Sequence, residues 1–302
     1  MITFFMLVTD RDMVIADYTV RSYAKISAIP FKLVIYSNWV LSSLRARYFT
    51  EWRKLPYVEI WENPEHTDER KPQERYLWGP FELCYTIWDR ELKKLTGTRY
   101  HATVDADFEI LKPDFIYEMM RRLEANPKLI AMSAEYNPKV AEYMDSFSGE
   151  LITLNERWQT QFCIYKREAL ACPESHIYHV DIQDGPVPRN VWDDAGYFQR
   201  ALKLMGYELE AVDRKYAQSF FHYAGFGQNR HIDERNIASY RRLQLALHKA
   251  SRVLPAFLMK ALWWRVEQLF FPQVDRGTFA PGWAADAPGR HRGHPDVQDV
   301  QA

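Results

Sequence analysis

The sequence predicts an α/β protein with a mostly parallel sheet, helices on both faces of it, and amphipathic helices at the C-terminal end. Short uninterrupted apolar runs, as expected of strands buried on both faces, alternate with segments whose apolar residues recur at helical spacing. That β-α-β alternation is the signature of a parallel sheet with its helices packed outside it. A chain of 302 residues with 47% hydrophobic and 15% aromatic content can also bury a substantial core.

Residues 2–8, Ile-Thr-Phe-Phe-Met-Leu-Val, form the first predicted strand. They lack a basic leader and run straight into Thr9-Asp10-Arg11-Asp12, so they read as a core strand rather than a secretion signal. Ala16, Val20, Tyr23 and Ala24 mark a helix over 16–26, and Pro30 closes the connection. A second strand over 31–36 ends at Ser37-Asn38, and a third over 57–61 ends at Glu62-Asn63-Pro64. Phe81, Leu83, Cys84, Ile87, Trp88, Leu92 and Leu95 predict a helix over 80–95, ahead of a strand at 100–104. Residues 129–133 and 161–165 are two further strands, which make the second half a mixed extension of the sheet. Beyond them, residues 201–205 continue an amphipathic helix that closes on Gly206, and Leu209, Ala211 and Val212 read as a short strand.

From about Tyr240 the pattern changes to leucines and aromatics at helical intervals with basic residues between them, interrupted by Pro255. This predicts a kinked amphipathic helix or a helix pair, too charged to span a bilayer, which needs about 20 apolar residues. Residues 273–302 are rich in Gly, Pro, Ala and charge without apolar period, and are expected to be a disordered tail. The expected organisation is therefore 1–235, 236–272 and 273–302, without internal repeats.

A formal net charge of −1 gives no basic field, so nucleic acid is excluded as the main partner. Cys84, Cys163 and Cys172 are odd in number and contain no Cys-x-x-Cys pair. They read as core residues of a protein from a reducing, cytoplasmic compartment.

Asp105-Ala106-Asp107 is the most informative motif, because it sets two carboxylates at the carboxyl end of a predicted strand, where ligands of open α/β sheets bind. Two hard oxygen ligands there suit Mg²⁺ or Mn²⁺. The same triplet also reads as a solvated turn or a helix cap, with Pro113 opening the helix after it. Asp193-Asp194 precedes the helix that ends at Gly206, and His222 sits within the aromatic run Phe220-Phe221-His222-Tyr223. Each has a plain alternative: the acidic pair as a helix cap, the histidine as a core residue.

Taken in order, these pieces resemble the GT-A nucleotide-sugar glycosyltransferases, most closely the family 2 type, over roughly residues 2–222. The resemblance lies in the strand order, Asn63-Pro64 after the third strand, Asp-x-Asp with Pro113 six residues on, and Lys166-Arg167-Glu168-Ala169-Leu170 after a later strand. It continues through Asp193-Asp194 at the family's Glu-Asp, Arg200, Gly206-Tyr207 and His222. Three stretches depart from the pattern: Thr9-Asp10-Arg11-Asp12 replaces Pro-x-Tyr-Asn, Ser37-Asn38 replaces an acidic strand end, and Trp88-Asp89-Arg90-Glu91 replaces Arg-Asn-x-Gly. Those positions contact the nucleotide in the family, which leaves the donor base open.

The resemblance implies a metal-dependent transfer of a sugar from a nucleoside-diphosphate sugar to a hydroxyl of a saccharide or polyprenyl-linked acceptor, with inversion. It implies Asp107 and His222 as metal ligands, Asp105 on the metal or the donor ribose, Thr9, Asp10 and Asn38 against the nucleotide, and Asp194 as general base. The imidazole nitrogen favours Mn²⁺ over Mg²⁺. A nucleotidyltransferase of related fold would be expected to carry a Gly- and Lys-containing phosphate loop after the first strand, and residues 9–17 contain neither. A non-catalytic nucleotide-sugar-binding scaffold is a further alternative, against which both acidic pairs speak. Residues 225–231, Gly-Phe-Gly-Gln-Asn-Arg-His, read either as a lid over the donor or as a plain connection. The C-terminal helices have two expected resting places, the catalytic domain or a membrane surface reached through Trp263, Trp264 and the basic residues, which would make the protein peripheral.

Overall fold

In the computed structural model, strand β1 (Ile2–Val8) is buried along its whole length because it is flanked on both sides. It pairs in parallel with β2 (Phe31–Ser37) and with β4 (Tyr100–Val104), and β2 pairs in parallel with β3 (Val58–Glu62). A strand covered on both faces and both edges needs no polar alternation, which is why its sequence shows none. The structure describes residues 1–63 apart from 11 and 39, residues 91, 94, 97–134 and 161–171, the strand segments 136–137, 141–144, 151–154, 157–158, 179–181 and 190–192, and residues 196–223 and 234–271.

Helix α1 (Met13–Ser22) follows β1, and β5 (Phe108–Ile110), α2 (Asp114–Ala125) and β6 (Leu129–Ser133) follow β4. The chain continues through β7 (Phe162–Lys166), α3 (Gly196–Leu204), β8 (Glu208–Ala211) and β9 (Phe220–His222). The main sheet has seven strands in the order β8-β6-β7-β4-β1-β2-β3. Only β7 runs against its neighbours β4 and β6; all other adjacent pairs are parallel. The fold is thus α/β with a mostly parallel sheet.

Strand periodicity divides the core into two layers. Phe4, Met6 and Ile35 face one side, where Met13, Ala16 and Val20 of α1 and Phe115, Met119 and Leu123 of α2 cover them. Phe5, Leu7, Val34 and Tyr36 face the other, where Phe198, Ala201 and Leu202 of α3 pack. Both faces are covered, as the continuous apolar runs require.

The first helix starts at Met13, three residues earlier than its apolar spacing indicates, because the Asp12 carbonyl already accepts the N–H groups of Ile15 and Ala16. Helix α3 ends at Gly206, whose φ of 85° is open to glycine at no steric penalty. There Tyr207 N–H donates to the Leu202 carbonyl and Gly206 N–H to that of Lys203, a paired closure that satisfies the last carbonyls and turns the chain into β8. The helix expected over 80–95, apart from residues 91 and 94, lies outside the described residues, as do Cys84, Cys172 and the tail 273–302, while Cys163 is a buried core thiol.

The chain divides into two compact units, Met1–Ile237 and Ala238–Ala302. In the second, α4 (Glu234–Ala250, which begins in the first unit) and α5 (Ala256–Phe270) are two helices, separated at Pro255 rather than one helix kinked there. They meet through Leu247, Met259 and Trp263, and through Glu267, which accepts hydrogen bonds from Tyr240 (3.0 Å) and Gln244 (2.6 Å). Trp263 is buried in this seam, so it is not part of the membrane-facing surface that is one of the two expected alternatives: a large ring on the inner stripe of α5 packs against the partner helix. Much of the remaining apolar stripe, Leu243, Val253, Phe257, Leu258, Leu262 and Leu269, is exposed. No described helix is long and apolar enough to cross a membrane.

Candidate metal centre

Because β1, β2, β3 and β4 are parallel, their carboxyl ends share one edge of the sheet. At β1, Thr9 donates its N–H (2.9 Å) and its hydroxyl (2.8 Å) to one carboxylate oxygen of Asp12, folding the chain into a tight turn before α1. At β2 and β3, Asn63 donates its side-chain amide to the side-chain oxygen of buried Asn38 (3.1 Å), and Asn38 N–H donates to the Val8 carbonyl. Asn38 therefore ties three strand ends together, while Asp10 sits half-buried in the first turn.

At β4 the edge becomes acidic. Asp105 N–H donates to the Gln161 carbonyl, and Phe108 N–H returns to the Asp105 carbonyl, so Asp105-Ala106-Asp107 is a turn between β4 and β5 rather than a continuation of the strand. Strand β9 then lies antiparallel to β5 with His222 opposite Phe108, and Tyr223 N–H donates to the Asp107 carbonyl. This register alone carries His222 from more than a hundred residues away to the acidic turn. The rings beneath hold it there: Phe108 stacks on Phe220 at 5.0 Å and meets Phe162 at 4.9 Å. Each such buried phenylalanine contributes roughly 1.5–3 kcal/mol, so the turn stands on a rigid floor.

The result is a compact triad. His222 Nε2 lies 3.2 Å from Asp107 Oδ1 and 3.5 Å from Asp105 Oδ2, and one ligand atom from each residue falls within 4.8 Å of the others. Asp107 is buried, and the other two are half-buried. Neighbouring ligands on an octahedral ion with bonds near 2.1 Å are about 3 Å apart, close to the two distances from His222. Oxygen and imidazole donors are the set that Mn²⁺ or Mg²⁺ accepts, so the three residues fit such an ion.

Asp12 adds to the negative cluster. Burial first, and then the nearby charges of Asp107 and Asp105, raise its pKa to about 7 against the hydrogen bonds from Thr9. In the sequence Asp12 stands out only as part of a departure from the family pattern, and its three-residue spacing from Thr9 is the one signal of this placement. Sequence reasoning misses Glu109. It is buried and accepts the Tyr223 hydroxyl at 2.7 Å, which fastens β5 to the end of β9. Asp193, Asp194 and residues 225–231 lie outside the described residues.

No protein-family model and no curated protein matches this chain. Among solved structures, it is similar to a mannosyltransferase, PcManGT from Pyrobaculum calidifontis, in complex with GDP-Man and Mn²⁺: 13% identity, 88% of this chain and 69% of that one, TM-score 0.45. It is similar to S. aureus TarS 1–349 in complex with UDP-GlcNAc, with 11% identity over 89% and 73% of the two chains and a TM-score of 0.43. It is similar also to the 4-diphosphocytidyl-2C-methyl-D-erythritol synthase of Anaerococcus prevotii, with 10% identity over 70% and 87% and a TM-score of 0.39. The α/β fold rests on the strand order and register themselves.

Proposed function

We propose that this chain is a metal-dependent, inverting glycosyltransferase that moves a sugar from a nucleoside-diphosphate sugar to a hydroxyl of a saccharide or lipid-linked saccharide, in the cytoplasm. The observation that carries the reading is the meeting of Asp105, Asp107 and His222 at the carboxyl edge of a mostly parallel sheet. That is the edge at which open α/β sheets take their ligands.

A divalent ion bound there would neutralise the charge that develops on a departing diphosphate. Asp107 and His222 would hold the ion, with Asp105 on the ion or the donor ribose. The Thr9–Asp12 turn and the Asn38–Asn63 pair would shape the floor beneath the nucleotide. Asp194, by its match to the family's acidic pair, would take the proton of the acceptor hydroxyl.

A thermal-shift screen of nucleotide sugars and nucleoside diphosphates, with and without Mn²⁺, followed by product analysis with the best donor, tests the reading. Stabilisation by a nucleotide sugar that needs the metal, and release of a nucleoside diphosphate, are expected. Asp194→Asn is expected to keep donor affinity and to lose roughly 10²–10⁴ in turnover. Release of pyrophosphate from a nucleoside triphosphate would make the chain a nucleotidyltransferase instead, and binding without turnover would make it a scaffold.

A further inference from the structure

The hairpin of α4 and α5 buries one apolar face in its own seam and leaves a second one bare. Val253 is 81% exposed, Phe257 71% and Leu269 69%, with Leu258 and Leu262 at about two fifths. On α5, Leu258, Leu262, Arg265 and Leu269 follow one another at four-, three- and four-residue steps, so they line a single side of the helix. The charge around this face has one sign. Residues 238–271 contain Arg241, Arg242, Lys249, Arg252, Lys260 and Arg265 against a single carboxylate, Glu267, which is buried within the hairpin. Lys249, Arg252 and Lys260 are exposed around the same turn as Val253 and Phe257.

From these features we infer that the hairpin docks on an anionic lipid surface. Helix α5 lies in the plane of the interface, with Phe257, Leu258, Leu262 and Leu269 among the headgroups and upper acyl chains. Lys249, Arg252, Lys260 and Arg265 reach lipid phosphates from their apolar stems. Charge selects this occupant over a second copy of the chain, since two such faces would set Lys249, Arg252, Lys260 and Arg265 of one copy against the same four basic side chains of the other. An anionic leaflet instead gains about fivefold in partitioning for each basic residue near its surface. The face is an interfacial one, because no described helix can span. The inference is independent of the transferase reading, and its readout is binding alone.

The test is sedimentation of the full chain with vesicles of phosphatidylcholine alone or of phosphatidylcholine with phosphatidylglycerol. Binding only to the phosphatidylglycerol vesicles, weakening as salt is raised, is expected. Phe257→Glu with Leu269→Glu should lower partitioning by at least about tenfold, with an unchanged unfolding midpoint because both side chains are exposed. Separate charge reversal of Lys249, Arg252 and Lys260 should do the same. Equal binding to both vesicle types, no binding to either, or binding that survives the double substitution would each overturn the inference. So would a concentration-dependent dimer, seen without lipid and abolished by Phe257→Glu, which would assign the face to a second copy.

Discussion

The two edges of the sheet are built from similar residue types and put them to opposite uses. At the carboxyl edge, Asp12, Asp105, Asp107 and His222 gather charge in partial burial. At the amino edge, buried polar groups meet neutral hydrogen-bond partners instead, and the Nε2 of His101 has none among the described residues. His101 lies fully buried in β4, four residues before the turn's first carboxylate, with Thr98 at 3.3 Å from its Nδ1 and Thr3 at 3.0 Å from Thr98. Lys166, which ends the one reversed strand and so falls on this edge, donates to the carbonyls of Asn126 and Pro127. Two histidines near opposite ends of one short strand thus sit in opposite fields. A parallel sheet sends its loops of function to one edge, and the other is free to be plain structure.

The largest effect that would break this comparison is at Asp107. Asp107→Ala should abolish transfer and the Mn²⁺-dependent part of nucleotide binding, while the unfolding midpoint measured in chelator stays within about 1 kcal/mol of the parent, since an ion-pair partner is lost but repulsion is relieved. Full activity in chelator, or an active Asp107→Ala protein, would remove the metal from the carboxyl edge altogether.

Asp12 sharpens the contrast. Its folded pKa of about 7 stands above the usual carboxylate value, so the folded chain holds the proton longer than the unfolded one. Any stability it contributes is therefore present at low pH and is lost as pH rises toward and through 7. Asp12→Asn keeps an acceptor for Thr9 and should raise stability at pH 8, in chelator, by about 1–2 kcal/mol, while weakening metal-dependent nucleotide binding. Loss of stability at pH 8 would show that the carboxylate is not strained there.

His101 tests the other edge with the opposite sign. Burial, and then the nearby charge of Arg167, lower its pKa to about 4. The unfolded chain then binds a proton that the folded chain refuses, so stability is complete above about pH 6.5 and falls as pH drops toward 4, by about 3 kcal/mol at most. Urea midpoints across that window should slope less for His101→Gln than for the parent. An unchanged slope would mean that the imidazole titrates normally in the fold.

Much of this was legible beforehand. Strand β1 declares itself because a strand buried on every side must be apolar throughout, and Gly206 because a helix stop of that kind needs a positive φ. Asp105, Asp107 and His222 were each singled out by residue type and by place at the end of a regular element. Their meeting was not readable from spacing, since it depends on the register of β5 against β9, which is set by the packing of Phe108 on Phe220. The reversed direction of β7 was equally hidden, because an apolar run of five residues carries no sign of its direction. The seam position of Trp263 needed the pairing of two helices, which a single helical period does not specify.

The smallest expected effect lies at Gly206, again on the amino side of the sheet, where α3 hands over to β8. A Cβ there would meet no atom within 4 Å, so Gly206→Ala creates no clash, and its penalty comes from the backbone angle alone. Holding an L-residue at φ 85° costs about 1–2 kcal/mol, offset in part by the smaller conformational freedom that alanine has when unfolded. The unfolding midpoint should fall by roughly 1 kcal/mol, with metal-dependent nucleotide binding unchanged. A change in binding without a change in stability would show that strain at the amino edge reaches the carboxyl edge through β8 and β6, and the two edges would then have to be treated as one coupled device.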